Sequence, residues 1–391
     1  MDQFSQDYAR LMLTVNRHTD GFVDAYYGPP DIQAAVEAAD LPPLEAVQEE
    51  LESLRANIPA DDPQRKAYLD AMVTAAQTAL RLEDASLSYL DEARLLFDLE
   101  PALVDDDRLL AARRSLDDAL PGSGSLAERM TAYRRHYEIP ADRLGHVVEL
   151  ALAECRRRTA ELVDLVPGEG FQHALVKDQH WGAYNWYQGN AQSLIEFNTD
   201  IPMEATALLD FCAHEGYPGH HTENMLREQR YLKQGHIEGA FVLLLSPGAV
   251  IAEGIATTAR EIIFPDESHE AWYEEVLFPE LGIEPHPLEM RRVIRKAEDE
   301  LRYVAGNAAL RYHTGQADEA QTLDYLKTME SLDEDRAAKM FEFISHPLGR
   351  TYIFTYTAGY DLIAAAAEGG DKRPVFMRLL NNLVLPRDLA S

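Results

Sequence analysis

The stretch His214-Glu215-Gly216-Tyr217-Pro218-Gly219-His220-His221 decides how this chain is read. It packs three histidines and a glutamate around a Pro-Gly pair. Histidines at i and i+4 share a helical face and can chelate one metal ion. Here position i+4 from His214 is Pro218, which cannot bind metal, and the next histidines lie at i+6 and i+7. At about 3.6 residues per turn, i+6 points about 120° away from i, while i+7 returns to nearly the same face roughly 10 Å further along. A regular helix therefore does not offer His214 and His220 to one ion. Pro218 lacks an N–H and collides with the carbonyl of His214, and Gly219 tolerates the dihedrals that follow. A kink or bulge between Glu215 and His220 is predicted, re-aiming His220 toward His214 at a cost in strain that packing must offset. A lone helical histidine is usually a surface or core residue, but that reading does not explain this density.

Compared with the zinc-binding H-E-x-x-H pattern, the stretch carries two extra residues, and Glu215 holds the place of the general base. A third ligand is expected from a downstream carboxylate. Glu253, in Ala252-Glu253-Gly254-Ile255-Ala256, is the best placed, with a helix, a turn and a second helix between it and His220. The first helix continues through Asn224 to Gln234, with a break at Gly235. Ser246-Pro247-Gly248 opens the next, its proline in the first turn. Gly254 permits close helix approach. By itself Glu253 would read as an exposed first-turn glutamate favoured by the helix dipole. Glu261 is the reserve ligand, and Glu223 reads as a residue that orients a histidine. Whether His220 or His221 faces the metal stays open.

With these residues the chain resembles the bacterial domain-of-unknown-function family number 885, marked by H-E-x-x-P-G-H-H, which itself resembles the gluzincin metallopeptidases. Tyr187-Gln188-Gly189 with Ser193 to Thr199 resembles the segment before that family's zinc helix. Glu253-Gly254-Ile255-Ala256 resembles its E-G-W-A block, with Ile255 in place of Trp, and Tyr356-Thr357-Ala358-Gly359-Tyr360 resembles its late Y-x-x-G block. The likeness spans residues 170–370, about half the chain. It implies a mainly α, multi-helix gluzincin-like architecture with a small antiparallel β-sheet beside the zinc helix. It also implies Zn2+ held by His214, His220 and Glu253, and a zinc-dependent hydrolase cleaving short peptides. Tyr356 matches the late tyrosine and is the first choice as oxyanion donor. His221, His346 and Tyr360 are the other candidates, and Asn198 is a candidate substrate contact. Arg350 could bind a substrate carboxylate bidentately, which would favour carboxypeptidase or dipeptidase action.

The expected mechanism follows. Three protein ligands leave a fourth zinc position for water, Glu215 takes the water's proton, and a donor meets the oxyanion. The alternatives are a metal hydrolase of a non-peptide amide or ester, and a metal-free helical binding protein with a degenerate motif.

At 391 residues and 46% hydrophobic, the chain can bury a large core. Sixty-seven acidic against 36 basic residues give a net charge of −31, which argues against nucleic acid as a partner. The acidity is spread along the chain and reads as a solvated surface. Two cysteines, Cys155 and Cys212, make no disulfide framework and suit a reducing compartment. No signal peptide is visible at the N-terminus, and no apolar run can span a bilayer; Phe241 to Leu245 is far too short. A cytoplasmic protein with no membrane partner is expected.

Helical spacing covers Pro63 to Leu82, Pro140 to Leu165, Thr206 to Arg230, Pro287 to Tyr312 and Asp333 to Ile344. Gly170 to Val176 and Gln192 to Thr199 are the good strand candidates. Pro167-Gly168-Glu169-Gly170 divides an N-terminal helical half (1–167) from a catalytic half (168–391), the two forming one body.

Overall fold

The computed structural model of the chain describes residues 1–82, 87–179, 182–330, 332 and 334–390. Helices dominate it. Pro63–Ala79 opens as its sequence suggests: Asp62 accepts from the backbone N–H groups of Gln64 and Arg65, and Pro63 occupies a position where no N–H is needed. The pattern from Pro140 forms Ala141–Thr159, and the last forms Glu334–Ser345; Asp333 lies outside the described residues. The pattern from Pro287 splits into Leu288–Leu301 and Tyr303–His313. The pattern from Thr206 to Arg230 is also divided, into Leu208–Glu215 and His220–Arg230, so the predicted kink is a complete break.

The sheets need one correction. The two predicted strands, β2 (Gly170–Val176) and β4 (Gln192–Asn198), pair in parallel, with Gly170 opposite Gln192 and Val176 opposite Asn198. The strand that sequence alternation did not single out, β3 (Ala183–Tyr187), lies between them in the chain and pairs antiparallel with β4. A tight turn with positive φ at Gly189, Asn190 and Ala191 reverses β3 into β4, and this brings β4 back to the direction of β2. The order is β2-β4-β3, so β3 is an edge, and the sheet lies beside both histidine-bearing helices. A separate antiparallel pair joins β1 (Val23–Tyr26) to β5 (Phe241–Leu243).

The two sequence halves interlock. One hydrophobic cluster runs from Tyr8 to Leu389, and the β1–β5 pair crosses the boundary at Pro167. The helix Pro247–Ile263 is buried along most of its length and packs against Leu208–Glu215 and Thr355–Ala366. It meets Thr355–Ala366 glycine to glycine: a Cβ on Gly359 would lie 2.3 Å from the Val250 carbonyl oxygen and 2.6 Å from the Gly254 Cα. Gly254 therefore admits the tyrosine-bearing helix. Both cysteines are buried and free. No described helix is long and apolar enough to cross a membrane.

Candidate metal and hydrolytic site

Glycine makes the break possible. The helix carrying His214 ends at Gly216, the Tyr217-Pro218 peptide is cis, and Gly219 leads into the helix that begins at His220. A Cβ on Gly219 would sit 1.9 Å from the His214 carbonyl oxygen and 2.5 Å from that of Ala213, so close backbone approach excludes any side chain there. The Gly219 N–H donates to the Ala213 carbonyl at 2.9 Å and ties the break together. As a result the rings of His214 and His220 stand perpendicular with centroids 4.8 Å apart.

Two carboxylates complete the cluster. Donor atoms of His214, Glu215 and His220 all lie within 4.8 Å of one another. Glu253 reaches in from the second turn of its helix, with Oε2 3.6 Å from His214 Nε2 and Oε1 3.9 Å from His220 Nε2. Tyr352 donates to Glu253 Oε1 at 2.9 Å, while the buried Oε2 has no hydrogen-bond partner. Oε2 faces His214, and a buried carboxylate oxygen without a hydrogen-bond partner is an exception among buried polar atoms. Two imidazole nitrogens and one carboxylate are a donor set that zinc accepts. Of the two acids, Glu215 belongs to the tight donor group with both histidines, and Glu253 is oriented by Tyr352 with its second oxygen toward His214. Glu215 is anchored differently: its backbone carbonyl accepts from Asn185 Nδ2 at 2.5 Å, which ties the end of the His214 helix to β3.

Burial and mutual charge shift the protonation of all four groups. Burial pushes the Glu215 carboxyl up to about 7, with His220 opposing and Glu253 and Asp24 adding to the rise. Glu253 is raised by the same burial. Burial, with His220 beside it, holds His214 well below the usual imidazole range. Burial also works against the charged form of His220, but Glu223, Glu253 and Glu215 outweigh it and hold that ring at about 9. The surrounding acids thus favour the charged form of the His220 ring. Glu223 lies behind His220, with Oε2 4.0 Å from Nδ1, and pairs with Arg227 at 3.4 Å.

His221 turns the other way. It is fully buried, with Nδ1 2.8 Å from Ser193 Oγ and Nε2 3.1 Å from Glu169 Oε2; Glu169 also accepts from Tyr217 at 2.5 Å. Its two ring nitrogens are committed to the sheet side of the break, so His220 is the histidine that faces His214, and His221 is no oxyanion donor.

The remaining candidates separate in the same way. Tyr356 lies in the cleft beside the cluster: it is 39% exposed and packs edge-on against Tyr352 at 5.4 Å. Tyr360 is elsewhere, receiving a hydrogen bond from Lys372 at 2.7 Å and donating to Glu261 at 3.0 Å. That arrangement also removes Glu261 as a ligand, since Lys372 pairs with it at 2.7 Å. Arg350 cannot take a substrate carboxylate. Its guanidinium is paired with Glu92, which is 1% exposed, and donates to the Leu82 carbonyl at 2.7 Å. Asn198 touches the cleft, but it donates to the Gln179 carbonyl at 2.8 Å and accepts from the Asp200 N–H at 3.0 Å, so it holds a loop. His346 lines the outer cleft, with Nδ1 accepting from the Leu348 N–H at 3.2 Å.

The cluster opens into a cleft of about 1660 Å³. The walls include residues that no motif singles out: Asp24 on β1, Tyr184 and Asn185 on β3, and Tyr352. Tyr352 sits four residues before Tyr356 on the chain, and the aromatic alternation Tyr184-Trp186 before Gly189-Asn190 is a usable hairpin signal. Asp24 carries no local signal.

No protein-family model matches this sequence, and a search of curated proteins finds no match. Among solved structures, the chain is similar to one described as "the putative lipoprotein from Colwellia psychrerythraea", with a TM-score of 0.55 at 15% identity over 88% of this chain. The match spans 65% of that protein's chain. At this identity the likeness concerns the fold.

Proposed function

We propose that this chain is a zinc-dependent hydrolase acting on short peptides, built like the gluzincins and the family-885 proteins its motifs resemble. One observation carries the reading: a glycine-dependent helix break brings the rings of His214 and His220 together edge to face, with a buried, unpartnered Glu253 oxygen beside His214. His214, His220 and Glu253 would hold the ion. Zinc bound there supplies Lewis acidity and lowers the pKa of water.

The chain's own residues supply the rest. Glu215 accepts the proton of the attacking water and passes it to the leaving amine. Tyr356 donates to the carbonyl oxygen as that oxygen gains charge. Tyr352 keeps Glu253 in place, and Asn185 keeps the end of the His214 helix against β3. The edge strand β3 borders the cleft through Ala183, Tyr184 and Asn185, where an extended substrate can pair by its main chain. Because Arg350 is committed to Glu92, carboxypeptidase-type recognition by that residue is dropped.

The test is metal analysis of the purified protein combined with a peptide-library digest read by mass spectrometry. About one equivalent of zinc and discrete cleavages are expected, and Glu215→Gln should keep the zinc while losing nearly all turnover. A metal-free protein that cleaves nothing when zinc is supplied would overturn the reading. Turnover of esters or non-peptide amides in place of peptides would retain the machinery and change the substrate.

A further inference from the structure

The charges around the cluster do not balance, and the excess falls on one residue. Most cleft acids near the histidines have a cationic partner. Glu223 pairs with Arg227, Glu238 with Arg65, and Asp210 with Arg260 and Arg295. Glu215 and Glu253 face the two histidines and would face the ion. Asp24 is different. It projects from β1 into the cleft wall and receives the Tyr184 hydroxyl, a neutral donor. Among the described residues it makes no ion pair, and the Tyr184 hydroxyl is what holds it. Asp24 lines the same cleft as Glu215 and Glu253. Arg227 cannot turn to it, being engaged with Glu223, the Tyr68 hydroxyl and the Phe241 carbonyl.

Resting on the peptidase reading above, we infer that Asp24, held by Tyr184, receives a primary ammonium group of the substrate next to the scissile bond, and that the substrates are peptides with a free amino terminus. A half-buried carboxylate with no cationic partner is poorly compensated until a positive group arrives. The amino-terminal ammonium fits better than a lysine side chain because of where Asp24 is anchored. Tyr184 belongs to the edge strand, so a substrate paired along β3 passes the residue whose side chain holds Asp24, and a chain that begins there ends in an ammonium within reach of the carboxylate. The arginines named above are all engaged with acids, so none of them is offered to a terminal carboxylate.

Two measurements test this. The first compares zinc-loaded protein on matched peptides: free amino terminus, N-acetylated, C-amidated, and N-acetylated with an internal lysine. N-acetylation should lower kcat/KM by about 10- to 100-fold, the scale of one charge-assisted hydrogen bond, while C-amidation should change little. Asp24→Asn keeps an acceptor for Tyr184 and should erase most of the preference for a free terminus. Rescue of the acetylated peptide by its lysine would assign Asp24 to side-chain recognition and overturn the amino-terminal assignment. Equal rates on free and acetylated peptides would overturn the inference and leave the hydrolase reading standing. The second measurement is calorimetric binding of the free and acetylated peptides to Glu215→Gln. It decides the matter even if no peptide is hydrolysed: binding that is indifferent to acetylation, or unchanged by adding Asp24→Asn, removes the ammonium subsite.

Discussion

At the scale of single residues, the site depends on which groups have a second partner. Glu253 has one oxygen on Tyr352 and one facing His214, so Tyr352 and Tyr356, four residues apart on the chain, are proposed to carry different tasks. Tyr352→Phe should weaken zinc binding about 10- to 100-fold, because it frees the ligand to rotate. Tyr356→Phe should leave zinc content and melting temperature nearly unchanged and lower turnover about 10²- to 10³-fold. Metal titration and steady-state kinetics on the two variants check this directly; exchanged phenotypes would reverse the assignment. Gly219 has the least latitude. A methyl group there would lie 1.9 Å from the His214 carbonyl oxygen, so Gly219→Ala cannot keep the break, and zinc should be lost together with a clear drop in melting temperature.

At the scale of elements, two contacts position the cluster. One is the glycine crossing between Pro247–Ile263 and Thr355–Ala366, which sets Glu253 and Tyr356 on adjoining walls. Gly359→Ala would force these helices apart and should cost about 3 kcal/mol, read from urea midpoints, with turnover per folded molecule falling as well. The other is the ion pair of Arg350 with buried Glu92, which ties the segment leading to Tyr352 onto the helix Tyr89–Phe97. Arg350→Met leaves Glu92 buried without its partner and should cost about 3–5 kcal/mol. Under the hydrolase reading, the KM of the surviving folded protein should be unchanged. A raised KM at normal stability would restore Arg350 as a substrate contact.

At the scale of the whole molecule, ion and fold should stabilise each other, because the proposed ligands come from three separate helices. Zinc at about a thousand times its Kd should add about 4 kcal/mol, and chelation should lower the melting temperature by the corresponding amount. Acid should act elsewhere. Burial opposes ionisation of Glu270, but His269 and Arg291 outweigh it and hold the carboxyl at about 2, below its ordinary 4.5. A carboxyl depressed by folding contributes its full stability above the ordinary value and loses it as pH falls through the folded one. Wild type should therefore lose stability between about pH 4.5 and 2 more steeply than Glu270→Gln, measured by urea unfolding across that range.

Local rules were enough for the helical character, an interruption at Pro218-Gly219, and the strands at Gly170 and Gln192, whereas Glu253 is singled out by the expectation of a downstream carboxylate ligand. Those rules are the helical period, the loss of an N–H at proline, and alternation along a strand. What each reactive group meets emerged from the folded chain alone. Arg350 reads as a free guanidinium until Glu92, 258 residues away in the chain, claims it. His221 is as plausible a ligand as His220 until Glu169 and Ser193 engage its ring. The parallel pairing of β2 and β4 follows from a strand between them with only a short aromatic alternation to mark it. Asp24 reaches the cleft because β1 pairs with β5. Such partners are chosen by packing between distant segments, and nothing in the residues flanking either member encodes the other.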